Sequence, residues 1–272
     1  MPEGDVLRLT AARLDRALTG TTLDRVELRW PDVEGARLVG ESVLAVEAYG
    51  KHLLVRTSGG WTLHTHLRME GSWRVERTGT PGAAGRSPWV RAVLGGPRWT
   101  ALGVRLGMLD LVRTRDEHTL LGHLGPDVLA DDLVVDAALV VDRFLRTPAD
   151  RAVPLAEALL DQTRLAGIGT LFAAEGLFAR RLDPWSTAGE LAPDGWVALV
   201  TVVREQMQRS VRDGLAARAV HVHARAGRPC VRCRTLIQVR QARRPPYERP
   251  IFYCPRCQGT AGPQPTGASM RR

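Results

Sequence analysis

Lysine is almost missing from this chain. Of its 38 Lys and Arg residues one is a lysine, Lys51, in the run Tyr49-Gly50-Lys51-His52-Leu53-Leu54. Nucleotide bias replaces lysine by arginine wherever charge alone is wanted, so a lysine kept by chance is one reading of the exception. Chemistry is the other. Arginine stays protonated at any relevant pH, whereas an ammonium can be tuned to give up or deliver a proton. Also missing is any apolar run long enough to span a bilayer. The N-terminus carries Glu3 and Asp5 where a secretory signal would be basic and then apolar. These absences argue against membrane and secreted classes and predict a cytoplasmic protein. Cysteine is scarce too, at four residues, and in the cytoplasm those are thiols or metal ligands, not disulfides.

Acidic residues run out toward the C-terminus. From His221 to Arg272 the chain has eleven arginines against a single acid, Glu248, a local balance of +10 within a net charge of +9. The preceding residues therefore sum to −1. A basic segment on a near-neutral body is the footprint of a polyanion partner. Nucleic acid fits better than a membrane, because no amphipathic basic helix accompanies the charge.

At 272 residues the chain has room for two domains. Val6 to Leu18 places apolar residues at 7, 11, 14 and 18, one helical face, and Gly20 follows as a stop. From Thr21 to about Arg113 short alternating runs separated by Gly, Pro and Ser predict a β-sandwich or barrel. Leu124-Gly125-Pro126-Asp127 ends that texture. Ala137 to Leu145, Pro154 to Gln162, Leu171 to Phe178 and Pro193 to Gly214 then read as four helices. The domain boundaries expected are 1–118 for the β-sandwich, 119–135 for a linker and 136–220 for the helices. A metal-binding segment follows at 221–258 and a disordered Gly/Pro/Ser-rich tail at 259–272. No internal repeat is present.

Cys230-x-x-Cys233 and Cys254-x-x-Cys257 contain every cysteine of the chain. Two thiolate pairs supply four soft ligands in a tetrahedron, which suits one structural zinc with no vacancy for a catalytic water. Gln238 to Gln241 and Pro250 to Tyr253 would form the hairpin of such a ribbon, with Arg249 upon it. Leu165-Ala166-Gly167-Ile168-Gly169 sits between two helices; its glycines permit close backbone approach and amides turned toward a phosphate, or mark only a turn. Removal of Met1 would leave Pro2 with a free secondary amine, whose pKa, about 8 in model compounds, leaves part of it unprotonated at neutral pH. Such an amine can attack an electrophilic sugar carbon, with Glu3 beside it as acid–base partner. In His66-Leu67-Arg68-Met69-Glu70-Gly71 the ordinary reading is a buried strand-end methionine. The alternative is an exposed wedge for a base stack. His64 and His66 share a strand face and read as core or surface residues, not ligands.

Taken together, these residues resemble the formamidopyrimidine-DNA glycosylase and endonuclease VIII family of base-excision repair enzymes. The resemblance covers residues 1 to about 258. It is carried by Met1-Pro2-Glu3-Gly4, Gly50-Lys51-His52-Leu53, Leu124 to Leu129, Leu160-Asp161-Gln162 with Leu165 to Gly169, and Gly227 to Gln258. Met1 to Asp5 and Gly71-Ser72-Trp73-Arg74-Val75 are more like the endonuclease VIII branch, particularly its actinobacterial members. It implies a multidomain α+β fold: a two-layer β-sandwich with one long helix, a helical domain with a helix–two-turns–helix, and a zinc hairpin. It further implies a bifunctional glycosylase and abasic-site lyase acting on oxidised bases, pyrimidines first. The alternatives are a purine-directed formamidopyrimidine type and a weakly active or non-catalytic DNA-binding paralogue. Implied partners are damaged double- or single-stranded DNA, for a monomer in the bacterial cytoplasm, on the nucleoid. By the same resemblance Pro2 is the nucleophile, Glu3 the acid–base catalyst, and Lys51 a phosphate contact that helps strand scission. Arg249 then holds phosphates flanking the lesion, and Arg68, Met69 and Glu70 occupy the turn that fills the gap left by a flipped base. Gly167 and Gly169 belong to the phosphate-binding turn. One departure stands out: the asparagine usual after the second glycine is Thr170 here, shorter and without an amide.

Overall fold

The computed structural model describes residues 2–243 and 247–259. The tail predicted at 259–272 lies outside them from Thr260 onward. Contacts divide the chain into two units. The first comprises Met1–Leu133, Gln162–Ile168 and Met207–Ala216, the second Val134–Asp161, Gly169–Gln206 and Ala217–Arg272.

In the first unit helix α1 (Gly4–Leu18) buries Leu7, Ala11, Leu14 and Leu18, the stripe its apolar spacing predicts. Eight strands follow: β1 (Arg25–Leu28), β2 (Val43–Tyr49), β3 (His52–Thr57), β4 (Trp61–His66), β5 (Ser72–Arg77), β6 (Val90–Gly95), β7 (Trp99–Val104) and β8 (Met108–Arg113). They form two antiparallel four-stranded sheets, ordered β1-β6-β7-β5 and β2-β3-β4-β8. Their apolar faces share one core with α1, including Leu53, Val55, Leu63, Trp73, Leu94 and Leu109. A two-layer sandwich is the expected solution for strands that each bury one face. The first strand begins later than the sequence suggests. Thr22 makes only an isolated bridge to Ser42, because residues 21–23 pair with the stretch before β2 through Val43 N–H to Thr21 O and Leu23 N–H to Glu41 O.

Past β8, a one-turn helix α2 (His118–Leu121) falls where no helix was expected. The second unit carries α3 (Ala137–Phe144), α4 (Pro148–Arg151), α5 (Leu155–Leu160), α6 (Thr170–Arg180) and most of α7 (Pro193–Asp213). The short α4 was not expected either, but its signal is local: Thr147 and Asp150 form a reciprocal capping box with Pro148 at the first turn. Trp196 centres the helical core, stacked on Phe144 at 4.3 Å between ring centroids, with its indole N–H donated to Ala188 O. The antiparallel hairpin β9 (Gln238–Ala242) and β10 (Arg249–Tyr253) completes this unit. It shares a small core with α6, built from Ala174, Phe178, Val222, Cys230, Ile237 and Cys254.

Candidate functional site

The N-terminus is fixed by backbone before any side chain acts. Glu3 adopts an extended conformation as the N-cap of α1, and its carbonyl accepts from the amides of Val6 at 2.9 Å and Leu7 at 3.2 Å. Its residue is buried, at 2% exposure, with Pro2 half-buried before it. Gly4 N–H donates to Gly167 O at 3.0 Å, tying the first residues to the glycine turn far along the chain. Asp5 is buried, caps Val6 N–H and accepts from the Ser210 hydroxyl.

Lys51 lies in the tight turn between β2 and β3, and its Nζ donates to Ile168 O at 2.6 Å. Gly50 before it has φ +56°, and a Cβ there would come within 2.8 Å of the Ala166 Cβ. Gly167, at φ +104°, also holds a conformation that disfavours side chains. Gln162 braces this turn twice, donating to Ile168 O at 3.0 Å and accepting from Gly167 N–H at 3.1 Å. Asp127 and Ala166 form a parallel bridge, and Tyr49 donates to Gly125 O at 2.9 Å. Four motifs far apart in sequence, Gly4 and Gly167 the most distant bonded pair, thus converge within one unit.

A polar cluster that the sequence reading missed lies next to Lys51 in the chain. His64 Nδ1 is 2.9 Å from Asp110 Oδ2, and His52 Nδ1 is 2.7 Å from His64 Nε2. A carboxylate only accepts, so with neutral rings His64 donates to Asp110 and His52 donates to His64. His66 meets His52 edge-on, and its Nδ1 accepts Arg68 N–H at 2.9 Å. Burial, aided by the neighbouring imidazoles, pushes His52 down to about 3. Burial and the Lys51 ammonium push His66 down to about 4. Both rings are neutral at physiological pH.

Arg68, Met69 and Glu70 form the turn after β4, with Arg68 at φ +50°. Met69 is 67% exposed, which corrects the expectation of a buried strand-end methionine. The turn lifts it off the core, whose place is taken by Leu67 and Leu106.

In the second unit Thr170 opens α6 directly after its N-cap, Gly169, and is buried at 6% exposure. Further along α6, buried Glu175 accepts the amides of His221, Val222 and His223 at 2.8–3.0 Å, fixing the segment that leads into the cysteine ribbon. His223 meets Phe252 of β10 edge-on and its ring also reaches the Thr170 backbone. Arg249 is the first residue of β10 and is exposed, donating to Glu248 O.

The ligand atoms of Cys230, Cys233, Cys254 and Cys257 all lie within 4.8 Å of one another, the only such group of potential metal ligands among the described residues. Hydrogen bonds from Thr235 draw the Cys233 thiol down to about 6, whereas burial and the adjoining sulfurs push Cys257 up to about 12. Four crowded thiols cannot all ionise alone; a divalent cation removes the conflict, so the donor set fits a metal of zinc's softness.

The chain is similar to known proteins in sequence and fold. The family profile of the formamidopyrimidine-DNA glycosylase N-terminal domain matches residues 1–95, and that of the formamidopyrimidine-DNA glycosylase H2TH domain matches residues 124–220. The chain is 42% identical to a "Probable endonuclease 8 2" of Streptomyces coelicolor, covering all of both chains. It is 36% identical to the "DNA-(apurinic or apyrimidinic site) lyase Nei2" of Mycolicibacterium smegmatis, over 95% of this chain and 99% of that one. Among solved structures, the MutM (Fpg) protein of Thermus thermophilus superposes with a TM-score of 0.76 at 30% identity, covering 96% of this chain and 100% of that one.

Proposed function

Because the chain belongs to the formamidopyrimidine-DNA glycosylase and endonuclease VIII family, we propose that it is a bifunctional DNA glycosylase and abasic-site lyase of base excision repair. The convergence of Pro2-Glu3-Gly4, Lys51 and Gly167-Ile168 in one unit carries this reading. The Pro2 nitrogen bonds to C1′ of the damaged nucleotide, the bond from C1′ to the base breaks, and the base leaves with a proton. Opening of the sugar ring gives an iminium on Pro2. Loss of the C2′ proton then expels the 3′ phosphate, and a second elimination releases the 5′ phosphate. Glu3 moves protons at the sugar. Lys51, the one lysine, holds a phosphate and assists scission.

The remaining contacts are with DNA. Met69, between Arg68 and Glu70, fills the gap left by the extruded base. Gly167, Gly169 and Thr170 present the turn and the start of α6 to backbone phosphate, and Arg249 holds phosphates from the hairpin. Cys230, Cys233, Cys254 and Cys257 hold one zinc, which supplies folding energy and no reactive position. The protein acts as a monomer in the cytoplasm, on the nucleoid. Its substrates are oxidised pyrimidines and abasic sites in duplex or single-stranded DNA. Thr170 favours one second reading, a paralogue that binds DNA weakly and cuts poorly.

Borohydride reduction in the presence of abasic duplex should trap a covalent adduct that Pro2→Gly lowers by at least a hundredfold. A nicking panel of 5-hydroxyuracil, thymine glycol and 8-oxoguanine duplexes then separates pyrimidine-directed, purine-directed and non-catalytic readings. Absence of any adduct with every abasic or lesion duplex would sink the enzymatic reading.

A further inference from the structure

Three strand ends meet at one edge of the sheet β1-β6-β7-β5. Ser72, opening β5, and Val90, opening β6, both lie opposite Val104, which closes β7. Close beyond these ends are Glu70, Trp89 and Arg105, and Arg105 bonds to each of the other two. Arg105 N–H donates to Trp89 O at 2.8 Å. The Arg105 guanidinium lies 4.3 Å from the Trp89 ring centroid and donates to Glu70 at 2.9 Å. Arg105 holds φ +50°, a conformation disfavoured for a side-chain-bearing residue and kept here by contacts at both ends of the residue.

The outcome is an indole held firmly and left open. Trp89 remains 51% exposed despite the guanidinium on its ring. An exposed tryptophan, linked through Arg105 to the Glu70 that follows exposed Met69, adds apolar surface that folding alone does not use. The Arg105 guanidinium lies on the Trp89 ring and Arg91 follows two residues along the chain, cationic groups that suit a polyanion. An aromatic face among arginines takes a nucleobase whatever its identity, because every base has a π-face.

We propose that Trp89 is a stacking subsite for an unpaired nucleobase, held in place by Arg105 and Glu70, and distinct from the gap filled by Met69. The proposal rests on the DNA-repair reading above. The base comes from the duplex opened at a lesion or from a single strand, and the two sources share this chemistry.

The test is binding by fluorescence anisotropy at fixed salt to three DNAs: a duplex with a tetrahydrofuran abasic analogue, an intact duplex and a single strand. The proteins are wild type, Trp89→Ala and Trp89→Phe. Trp89→Ala should weaken binding to the abasic duplex by about fivefold to a hundredfold, the affinity of one base–aromatic stack. Binding to intact duplex should stay within twofold, and Trp89→Phe should recover most of the loss. A parallel loss on the single strand assigns the subsite to any unpaired base; its absence restricts it to bases in an opened duplex. The slope of affinity with salt should not change, because no phosphate contact is removed. Equal losses on all three DNAs, or none on a wild-type protein that binds, would overturn the subsite alone. A wild type that binds none of them overturns the repair reading and the subsite with it. Borohydride trapping by Trp89→Ala at saturating DNA should equal wild type, which shows the variant folded.

Discussion

In the sandwich unit Gly4 N–H, next to Glu3, and the Lys51 ammonium both donate to carbonyls of the glycine turn, over a core shared by two sheets and α1. In the helical unit Arg249 stands on a two-stranded hairpin whose core includes two of the cysteines themselves. An isolated hairpin is marginal in water, so the second arrangement depends on four ligands where the first depends on many buried side chains. A functional residue on the sandwich should therefore tolerate loss of any one neighbour. One on the ribbon should not.

The sharpest way to break that contrast is Cys254→Ser, or chelation of the wild type. Structural zinc is a large part of the folding energy of such ribbons. DNA binding should fall by at least a thousandfold as the hairpin that carries Arg249 is lost, while the thermal transition of the sandwich persists. Metal analysis should give one zinc per chain. A zinc-free protein that binds and cleaves normally would refute the dependence.

Lys51→Arg is the next largest effect, within the sandwich. It keeps the charge but replaces a compact, tunable ammonium by a planar group that stays protonated. Strand scission at a pre-bound abasic site should slow by about a hundredfold, on the scale of a lost proton-transferring group, with affinity changed little. Equal losses of affinity and rate would mean that Lys51 serves only as a charge.

His52 and His66 give the sandwich a weakness toward acid. Both are neutral when folded, with pKa values of about 3 and 4 against 6.5 for a free imidazole. The unfolded chain therefore binds more protons as pH falls below 6.5. The stability these rings contribute is complete above pH 6.5 and is lost progressively as pH falls toward their folded values. The melting temperature of the sandwich should drop by several degrees between pH 7 and pH 5, where carboxylates such as Glu117 have yet to titrate. His52→Gln should flatten that slope, and an unchanged slope would refute the assignment.

Much of this was legible from residues that act locally. The paired cysteines announce their cluster by spacing, α1 shows its buried face by period, and Lys51 stands out by composition. The Asp110–His64–His52 chain was not legible, because β-pairing rather than sequence distance brings β3, β4 and β8 side by side. Gln162 looks like any polar residue between helices until its two bonds to the glycine turn are seen. Met69 was open to two readings, because one apolar residue at a strand end satisfies either a core or an exposed turn, and its exposure favours the turn. Trp89 carried no local signal at all.

Thr170 sharpens the comparison by the smallest step. The chain contains no asparagine anywhere, so the composition that removed all lysines but one also accounts for threonine here. Thr170 is buried at the start of α6, directly after the N-cap Gly169. Threonine and asparagine are close in size, so Thr170→Asn should be accommodated without repacking. If the threonine has only weakened one phosphate contact, the substitution should tighten DNA binding by about 1 kcal/mol, the scale of one net hydrogen bond. The gain should be equal on lesion and undamaged duplexes, since a phosphate contact positions without reading sequence. Scission of a bound abasic site should hardly change, because Pro2, Glu3 and Lys51 belong to the other unit. Unchanged binding would mean that the turn has been rebuilt around another donor. A wild type that neither binds nor cuts, rescued in both by Thr170→Asn, would make the natural protein a damaged paralogue. The expected result is a working enzyme with a looser grip, because the convergence at Pro2 and Lys51 is complete without Thr170.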